Sequence, residues 1–241
     1  MSEPVLEAKG VSKVLGAGAG EVHALKRVDF RLNGSELTML MGPSGSGKTT
    51  LLSILGCMLT PTSGTVHVCG ESTEGADAEK LALLRRQHIG FVFQQYHLFP
   101  TLTAAENVQV ALDLRGVPGK QARSKSYEAL ARVGLSDRML SYPRELSGGE
   151  QQRVAIARAI VSNPSAILAD EPTAALDTAN GQAIMRLLTD LAANTACSVL
   201  VVTHDTRLTS FAHRIVNIED GRIVGKGTKK PRRLTAITGG H

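Results

Sequence analysis

The chain has 241 residues, of which 42% are hydrophobic and 20% charged, and its formal net charge is +5. These values are typical of a globular protein that can bury a core. No segment reaches the roughly 18 consecutive apolar residues of a membrane span, and the start, MSEPVLEAKG, lacks the order of a signal peptide, so we expect a cytoplasmic protein. Three widely spaced cysteines, Cys57, Cys69 and Cys197, predict reduced core residues rather than a disulfide framework or zinc site.

Short apolar runs alternate with helical patterns along most of the chain. The runs predict buried strands at residues 37–41, 89–93, 166–169 and 199–202. The helical patterns cover residues 48–59, 78–86, 124–133, 148–161 and 181–193. This alternation predicts an α/β fold with a mostly parallel sheet flanked by helices.

Two regions depart from this alternation. Residues 5–40 contain amphipathic segments and the turn residues Asn33 and Gly34, which predict a small N-terminal antiparallel β subdomain with short strands. Residues 95–145 have no comparable strand and are rich in helix formers broken by proline and glycine. We interpret this region as part of an inserted helical lobe over approximately residues 95–160.

The segment GPSGSGKTT, residues 42–50, is the most informative motif. It matches G-x-x-x-x-G-K-[ST] between a predicted strand and a predicted helix, the arrangement that binds a nucleoside triphosphate. Glycines let backbone N–H groups turn toward an anion, and the helix start adds its positive end. Lys48 is expected to reach the β- and γ-phosphates, and the Thr49 hydroxyl to ligate Mg²⁺. The predicted nucleotide-binding residues of this loop are Gly42, Pro43, Ser44, Gly45, Ser46, Gly47, Lys48, Thr49 and Thr50.

A second glycine-rich helix start occurs at LSGGEQ, residues 146–151. Ser147 and Glu150 have capping-box spacing, which accounts for those two residues structurally. Gly148 and Gly149 each cost a helix up to about 1 kcal/mol relative to alanine, but they leave the first-turn N–H groups open to an anion. The sequence therefore predicts a second phosphate-binding helix start, on the far side of the γ-phosphate.

Two adjacent carboxylates, Asp170 and Glu171, end the predicted strand in SAILADEP. Ligands bind at this end of strands in open α/β sheets. Because successive strand residues point to opposite sides, Asp170 can order the Mg²⁺ shell while Glu171 polarises the attacking water. A solvated turn or helix cap is the structural alternative, and the phosphate loop favours the catalytic interpretation.

Three single polar residues gain interest from their positions. Gln94 follows the strand at residues 89–93, where its amide can reach Mg²⁺ or the attacking water. His204 follows the strand at residues 199–202 and can donate to the γ-phosphate, although a lone histidine is more often structural. Asp177 by itself would be an ordinary helix start.

The excess positive charge lies at the C-terminus. Six of the 27 Lys and Arg residues, and none of the 22 acids, follow Asp220, so the rest of the chain is close to neutral. Residues 226–241 form a predicted basic tail, and the neutral remainder argues against a nucleic-acid partner. Such a tail is usually solvated; the alternative is contact with anionic headgroups, worth about 1 kcal/mol per cation near a membrane.

In this order, the motifs resemble the nucleotide-binding subunit of ATP-binding cassette (ABC) transporters. The resemblance extends from about Leu6 to Gly225, and LSGGE separates this family from other proteins with a phosphate loop. The phrases FVFQQYHLFPTLTAAENV and LADEPT look like the branch of macrolide-exporter, lipoprotein-releasing and cell-division ATPases. The resemblance implies a P-loop NTPase fold and an ABC ATPase domain at residues 5–225.

The resemblance also implies ATP hydrolysis with Mg²⁺ in an ATP-dependent, head-to-tail homodimer. The implied catalytic residues are Glu171, His204 and Gln94, the implied metal ligands are Thr49, Gln94 and Asp170, and the implied nucleotide contacts beyond the phosphate loop are Ser147, Gly148, Gly149 and Asp177. The implied partners are integral membrane permease subunits, which would place the chain on the cytoplasmic side of the inner membrane. Tyr96, Leu98 and Phe99 are candidates for the permease contact, with buried packing in the lobe as the alternative.

Two rival functions remain open. A soluble ABC ATPase acting on nucleic acid usually carries a coiled coil, a zinc module or a second cassette, and none is present. A nucleotide-gated scaffold in a cell-division complex would not need Glu171. One departure from the family concerns Leu15, which stands where relatives usually stack an aromatic residue on adenine; this implies weaker base stacking and loose discrimination between ATP and GTP.

Overall fold

A computed structural model describes residues 3–228. The strands are β1 (Leu6–Leu15), β2 (Val22–Leu32), β3 (Leu37–Met41), β4 (Ser63–Val68), β5 (Glu71–Ser72), β6 (Ile89–Val92), β7 (Ala166–Asp170), β8 (Ser198–Thr203), β9 (Arg214–Glu219) and β10 (Arg222–Thr228). The helices are α1 (Lys48–Leu55), α2 (Ala78–His88), α3 (Ala104–Asp113), α4 (Gly119–Arg132), α5 (Gly148–Ile160) and α6 (Thr178–Asn194). The predicted α/β fold is confirmed.

The larger sheet has six strands in the order β10-β9-β3-β8-β7-β6. All neighbours in it are parallel except β10, which pairs antiparallel to β9. Every residue of β3 and β8 is buried, as expected for parallel strands covered by helices on both faces. The four predicted buried strands all lie in this sheet: β3, β8 and β7 are adjacent inner strands, and β6 is an outermost strand.

The smaller sheet is antiparallel, in the order β2-β1-β4-β5. Its first two strands have 10 and 11 residues, so the expectation of short strands is wrong. Register shifts interrupt the pairing of β1 with β2 at three points, and such irregularities hide a long strand from a period-two pattern. Asn33 and Gly34 link β2 to β3 in the other sheet instead of closing a hairpin.

Several helix bounds differ from those predicted. Helix α1 ends at Leu55 because the chain turns at Gly56 and at Cys57, which has φ 55. Helix α4 begins five residues earlier than expected, directly after Pro118, and α6 begins at Thr178 with Asp177 as its cap. Helix α3 and strands β9 and β10 were not predicted as separate elements.

Hydrophobic residues pack on both faces of the larger sheet. Alternate residues of β3 and β8 separate into two clusters, one shared with α3, α4, α5 and α6, and the other with α1 and the antiparallel sheet. The register sets Met41 opposite Thr203 and Asp170 opposite Val202. The C-terminal ends of β3, β7 and β8 therefore meet at one edge of the sheet, where the predicted site residues follow.

Other expectations have mixed outcomes. Cys57 and Cys197 are buried and free, but Cys69 is exposed, so its assignment to the core is wrong. Within residues 3–228, no helix is both long and apolar enough to cross a membrane. The predicted basic tail lies outside the described residues except for residues 226–228, which belong to β10.

Candidate active site

The phosphate loop, residues 42–47, joins the end of β3 to the start of α1. Gly47 caps α1 with φ 100, in the left-handed region that favours glycine. A Cβ atom at Gly47 would collide with the carbonyl oxygen of Ala24 in β2, and one at Gly42 with that of Ile218 in β9. Glycine is required at both positions because the backbone of two other strands packs against the loop.

Polar groups of the loop are left open for a ligand. Within residues 3–228, no side chain caps the first turn of α1, so its N–H groups are available to an anion. Among the described residues, the buried hydroxyl of Ser46 has no hydrogen-bond partner. A buried hydroxyl is normally paired, by protein, water or ligand, so this loop fits a phosphate group.

Lys48 is the first residue of α1 and is only 8% exposed. Its Nζ atom donates to the carbonyl oxygens of Gly42 at 2.9 Å and Pro43 at 2.7 Å. An ammonium group has three N–H donors, so these two bonds hold the charge over the loop and leave one donor for a phosphate oxygen. Thr49 and Thr50 complete the first turn of α1.

Thr49 and Asp170 are in contact, as expected for two members of one metal site. The Thr49 hydroxyl donates to Oδ1 of Asp170 at 3.3 Å. Burial raises the pKa of Asp170, the bond from Thr49 opposes this, and the charge of Glu171 raises the pKa further. A cation beside this carboxylate would relieve its unfavourable ionisation. Mg²⁺ keeps water and phosphate oxygens as ligands, so one carboxylate and one hydroxyl fit it without a cluster of acids.

Glu171 and His204 form a pair that neither residue's predicted role required. Oε1 of Glu171 lies 2.7 Å from Nδ1 of His204. The backbone N–H of Glu171 donates to the carbonyl oxygen of Val202 at 2.9 Å, and its φ is 47. A left-handed residue other than glycine costs about 1–3 kcal/mol, and here this conformation accompanies the contact with the histidine after β8. The carboxylate side chain is 17% exposed and the imidazole 69%.

Gln94 lies in the turn after β6 and is exposed. Strand β6 neighbours β7, so Gln94 is at the same edge of the sheet as Asp170. The structure does not bring it into hydrogen-bond contact with Thr49 or Asp170, which bond to each other. Its metal and catalytic roles remain predictions.

The loop after Gln94 contains a contact that the sequence did not predict. Tyr96 and His97 are both left-handed, with φ 57 and 48. Arg158 of α5 donates to their carbonyl oxygens, at 2.7 Å for Tyr96 and 2.6 Å for His97. The only available signal was an arginine in the otherwise apolar second half of α5, and it does not identify a partner.

The start of α5 confirms the predicted capping box. Ser147 Oγ accepts from the Glu150 N–H at 3.3 Å, and a Glu150 carboxylate oxygen accepts from the Ser147 N–H at 2.8 Å. A Cβ atom at Gly148 would lie 2.9 Å from the Tyr96 hydroxyl, and one at Gly149 would lie 2.9 Å from Oδ1 of Asn180. The two glycines thus let the side chains of Tyr96 and Asn180 approach the start of α5 closely, besides leaving N–H groups open.

Asp177 caps α6, as its structural interpretation predicted. Its carboxylate accepts from the Asn180 N–H at 2.9 Å and from Nδ2 of Asn180 at 2.6 Å. These bonds lower the pKa of Asp177. Because Asn180 also faces Gly149, Asp177 fixes the side chain against which α5 begins.

The site residues fall into two groups. The phosphate loop, Asp170, Glu171 and His204 lie together at the sheet edge, joined by the contacts described above. Residues 147–149 lie at the start of α5, and within the described part of the chain no hydrogen bond or ion pair joins them to residues 42–50. One chain thus presents the two predicted phosphate-binding helix starts separately.

Comparison with known proteins decides the family. A sequence model described as ABC transporter matches residues 25–174, more than half of the chain. The chain belongs to the ABC transporter family. It is an ABC ATPase, which confirms the resemblance noted from its motifs.

Curated relatives of this ABC ATPase include the macrolide export ATP-binding/permease protein MacB of Burkholderia pseudomallei (strain 1710b). It is 45% identical over 225 residues, which cover 93% of this chain and 34% of the relative. A probable export ATP-binding/permease protein of Pseudomonas fluorescens (strain Pf0-1) is 44% identical over 224 residues, again 93% of this chain and 34% of the relative. The chain spans about a third of the length of these curated relatives.

Solved structures agree with the fold of the ABC ATPase. The dimeric, post-hydrolysis structure of the ATP-binding cassette MJ0796 bound to ADP and Pi is 41% identical, with a TM-score of 0.84, and covers 92% of this chain and 98% of that one. The structure of cbiO1 from Clostridium perfringens, part of the transporter complex cbiONQ, is 26% identical, with a TM-score of 0.84 and coverage of 94% and 89%. The predicted P-loop ATPase fold is confirmed.

Proposed function

We propose that this chain is the ATP-hydrolysing subunit of a membrane transporter complex and works as an ATP-dependent homodimer. The observation that carries the proposal is the placement of Glu171, held by His204, beside the Thr49–Asp170 pair and the phosphate loop. This arrangement combines a phosphate cradle, a cation site and a general base at one sheet edge.

The proposal assigns one role to each group. Lys48 and the first-turn N–H groups of α1 bind and orient the triphosphate. Thr49, Asp170 and Gln94 would hold Mg²⁺, which neutralises charge on the phosphates when bound. Glu171 accepts a proton from the attacking water, and His204 keeps the carboxylate in place while its other nitrogen donates to the γ-phosphate.

A second copy would complete the site. Within residues 3–228, no hydrogen bond or ion pair joins the helix start at residues 147–149 to the chain's own phosphate loop. Asp177 supports that helix start through Asn180. In a head-to-tail dimer, this start would meet the triphosphate held by the other copy. The dimeric MJ0796 structures, at 41% identity, support this arrangement.

The proposed membrane partners are permease subunits, which place the chain at the cytoplasmic side of the inner membrane. The relatives named export ATP-binding/permease proteins support this. Among the three candidate contact residues, Phe99 is 47% exposed. Leu98 instead packs against the buried cluster that the larger sheet shares with α3 to α6, and Tyr96 lies against Gly148. Phe99 is therefore our candidate for the permease contact.

Contact of the basic tail, residues 226–241, with anionic headgroups is a further part of the proposal that rests on charge alone.

The proposal is tested with Glu171→Gln, which keeps the shape of the side chain and removes the base. This variant should bind ATP, hydrolyse it at least about a hundredfold more slowly, and elute as a dimer in size-exclusion chromatography with ATP and Mg²⁺. Lys48→Ala in the same background is the control and should stay monomeric. A Glu171→Gln chain that remains monomeric at saturating ATP would refute the dimer.

A further inference from the structure

The backbone of Glu171 is in an unfavourable conformation that its surroundings must hold. Its φ is 47, although Pro172 follows it in the chain. A following proline favours extended conformations in the residue before it, and the left-handed region is unfavourable for any residue with a Cβ atom. Such a conformation persists only where several contacts fix it, and such conformations are concentrated at active sites. The contacts of this turn therefore decide where the Glu171 carboxylate lies.

The turn is held from two sides. On the side of β8, the Glu171 N–H donates to the carbonyl oxygen of Val202, and its carboxylate contacts His204. On the side of α5, Nε2 of Gln152 donates to the carbonyl oxygen of Pro172 at 2.8 Å. Because a carbonyl oxygen can only accept, the amide nitrogen of Gln152 must face it. Gln152 thus fixes the residue that directly follows Glu171.

Gln152 gains little stability from its own burial. Its side chain is 0% exposed, and in the part of the chain that the structure describes its Oε1 atom has no hydrogen-bond partner. The cost of one buried unpaired oxygen nearly cancels the contribution of one hydrogen bond. An apolar side chain of equal length would avoid this cost and would leave only the Pro172 oxygen unpaired, since no backbone N–H of residues 3–228 donates to it. Stability alone therefore does not account for a glutamine at this position.

We propose that Gln152 is a positioning residue for Glu171, and that its amide holds the turn at Pro172 so that the carboxylate stays beside the phosphate loop. This inference rests on the proposed function, in which Glu171 accepts a proton from the attacking water, and adds a residue that acts only through it. Gln152 lies three residues after Gly149 in α5, the helix whose start would meet the nucleotide of the other copy. The same amide links that helix to the Glu171 turn of its own chain.

The test is Gln152→Met, which keeps the length of the side chain and removes the donor. At saturating ATP, kcat for phosphate release should fall about tenfold or more, while KM for ATP should change by less than about twofold because the phosphate loop is untouched. The urea midpoint should change little, since one unpaired buried oxygen replaces another. Gln109→Met is the control: this half-buried glutamine of α3 donates to Asp113 at 3.3 Å, and its replacement should leave kcat unchanged.

The Glu171→Gln background separates a positioning role from a structural one. Residues that act as a unit have non-additive effects, so Gln152→Met should lower the residual rate of Glu171→Gln by less than about twofold. Gln152→Glu is a second variant of similar size, and its ionised carboxylate has no N–H to donate, so kcat should again fall about tenfold or more.

Three results would overturn the proposal: an unchanged kcat in Gln152→Met, a raised KM with kcat unchanged, or a further tenfold loss in the Glu171→Gln background. Failure of both Gln152 variants to fold would also overturn it, because Gln152 would then serve stability alone. The rate of Glu171→Gln by itself reports on the proposed function. If that variant hydrolysed ATP at the unsubstituted rate, the proposed base would be wrong whatever the Gln152 variants did.

Discussion

Replacing Arg158 should loosen the loop that follows Gln94. Its guanidinium donates to the carbonyl oxygens of Tyr96 and His97 at 2.7 Å and 2.6 Å, and both residues are left-handed. A hydrogen bond from a charged donor contributes about 1.5–3 kcal/mol, but burial of the guanidinium, which lowers the pKa of Arg158, offsets part of that. We expect Arg158→Gln to lower the free energy of unfolding by about 2–3 kcal/mol. Arg158→Lys keeps a charged donor but lacks the planar guanidinium fork that spans the two carbonyl oxygens, so it should cost about half as much.

Urea unfolding measures the loss of stability, and hydrogen exchange locates it. For a chain of this length, about 2–3 kcal/mol corresponds to a decrease in melting temperature of about 4–12 °C. Amide exchange at residues 95–98 should accelerate in Arg158→Gln. Arg153→Gln is the matched control because Arg153 lies in the same helix and donates a single bond, to the carbonyl oxygen of Val133 at 3.0 Å. If Arg158→Gln and Arg153→Gln were equally stable and amide exchange at Tyr96 and His97 were unchanged, the proposed role of Arg158 in holding this loop would be refuted.

Three further substitutions test other contacts. His204→Ala removes the 2.7 Å contact with Glu171, so steady-state phosphate release should fall about tenfold or more with little change in stability; an unchanged rate would show that the carboxylate needs no support. Glu36→Gln should flatten the loss of stability in acid: burial raises the pKa of Glu36, but the charge of Arg214 and hydrogen bonds outweigh it and lower the pKa overall. That stabilisation is present above the unfolded pKa of Glu36 and is lost as the pH falls through its folded pKa. Urea unfolding between about pH 7 and pH 3 measures the free energy of unfolding of both chains, and an equal decrease in the variant and the unsubstituted chain would contradict the prediction. Leu15→Tyr should tighten ATP binding by about 1 kcal/mol, roughly fivefold, and a competition assay without this gain would show that the base does not reach Leu15.

The centre of the fold could be predicted because its strands are encoded locally. Buried parallel strands such as β3 and β8 are nearly continuous apolar runs, and the phosphate loop has a fixed order of residue types. Strand β10 could not be predicted in this way, since Gly225 and Lys226 interrupt its apolar sequence pattern and its pairing with β9 is irregular. It forms because β9 supplies the hydrogen-bonding partner, which is information outside the segment itself.

The site shows the same limit. Glu171 and His204 could each be predicted from the strand that precedes them, but their contact joins residues 33 positions apart. The contact occurs together with the left-handed backbone conformation of Glu171, which the presence of a glutamate in the sequence does not predict. The close packing of Gly148 and Gly149 was missed for a similar reason, because Tyr96 and Asn180 come from distant segments.

The start of α5 packs against two other elements of its own chain. Gly148 meets Tyr96, in the loop after Gln94, and Gly149 meets Asn180, in the helix capped by Asp177. Arg158 ties the other end of α5 to the same loop. In the proposed dimer, this helix start would contact the nucleotide of the other copy, while Gln94 is predicted to serve the chain's own site. In that dimer, a displacement of the loop would change both composite sites, and Phe99, which is exposed three residues after Tyr96, is where a membrane partner would impose it.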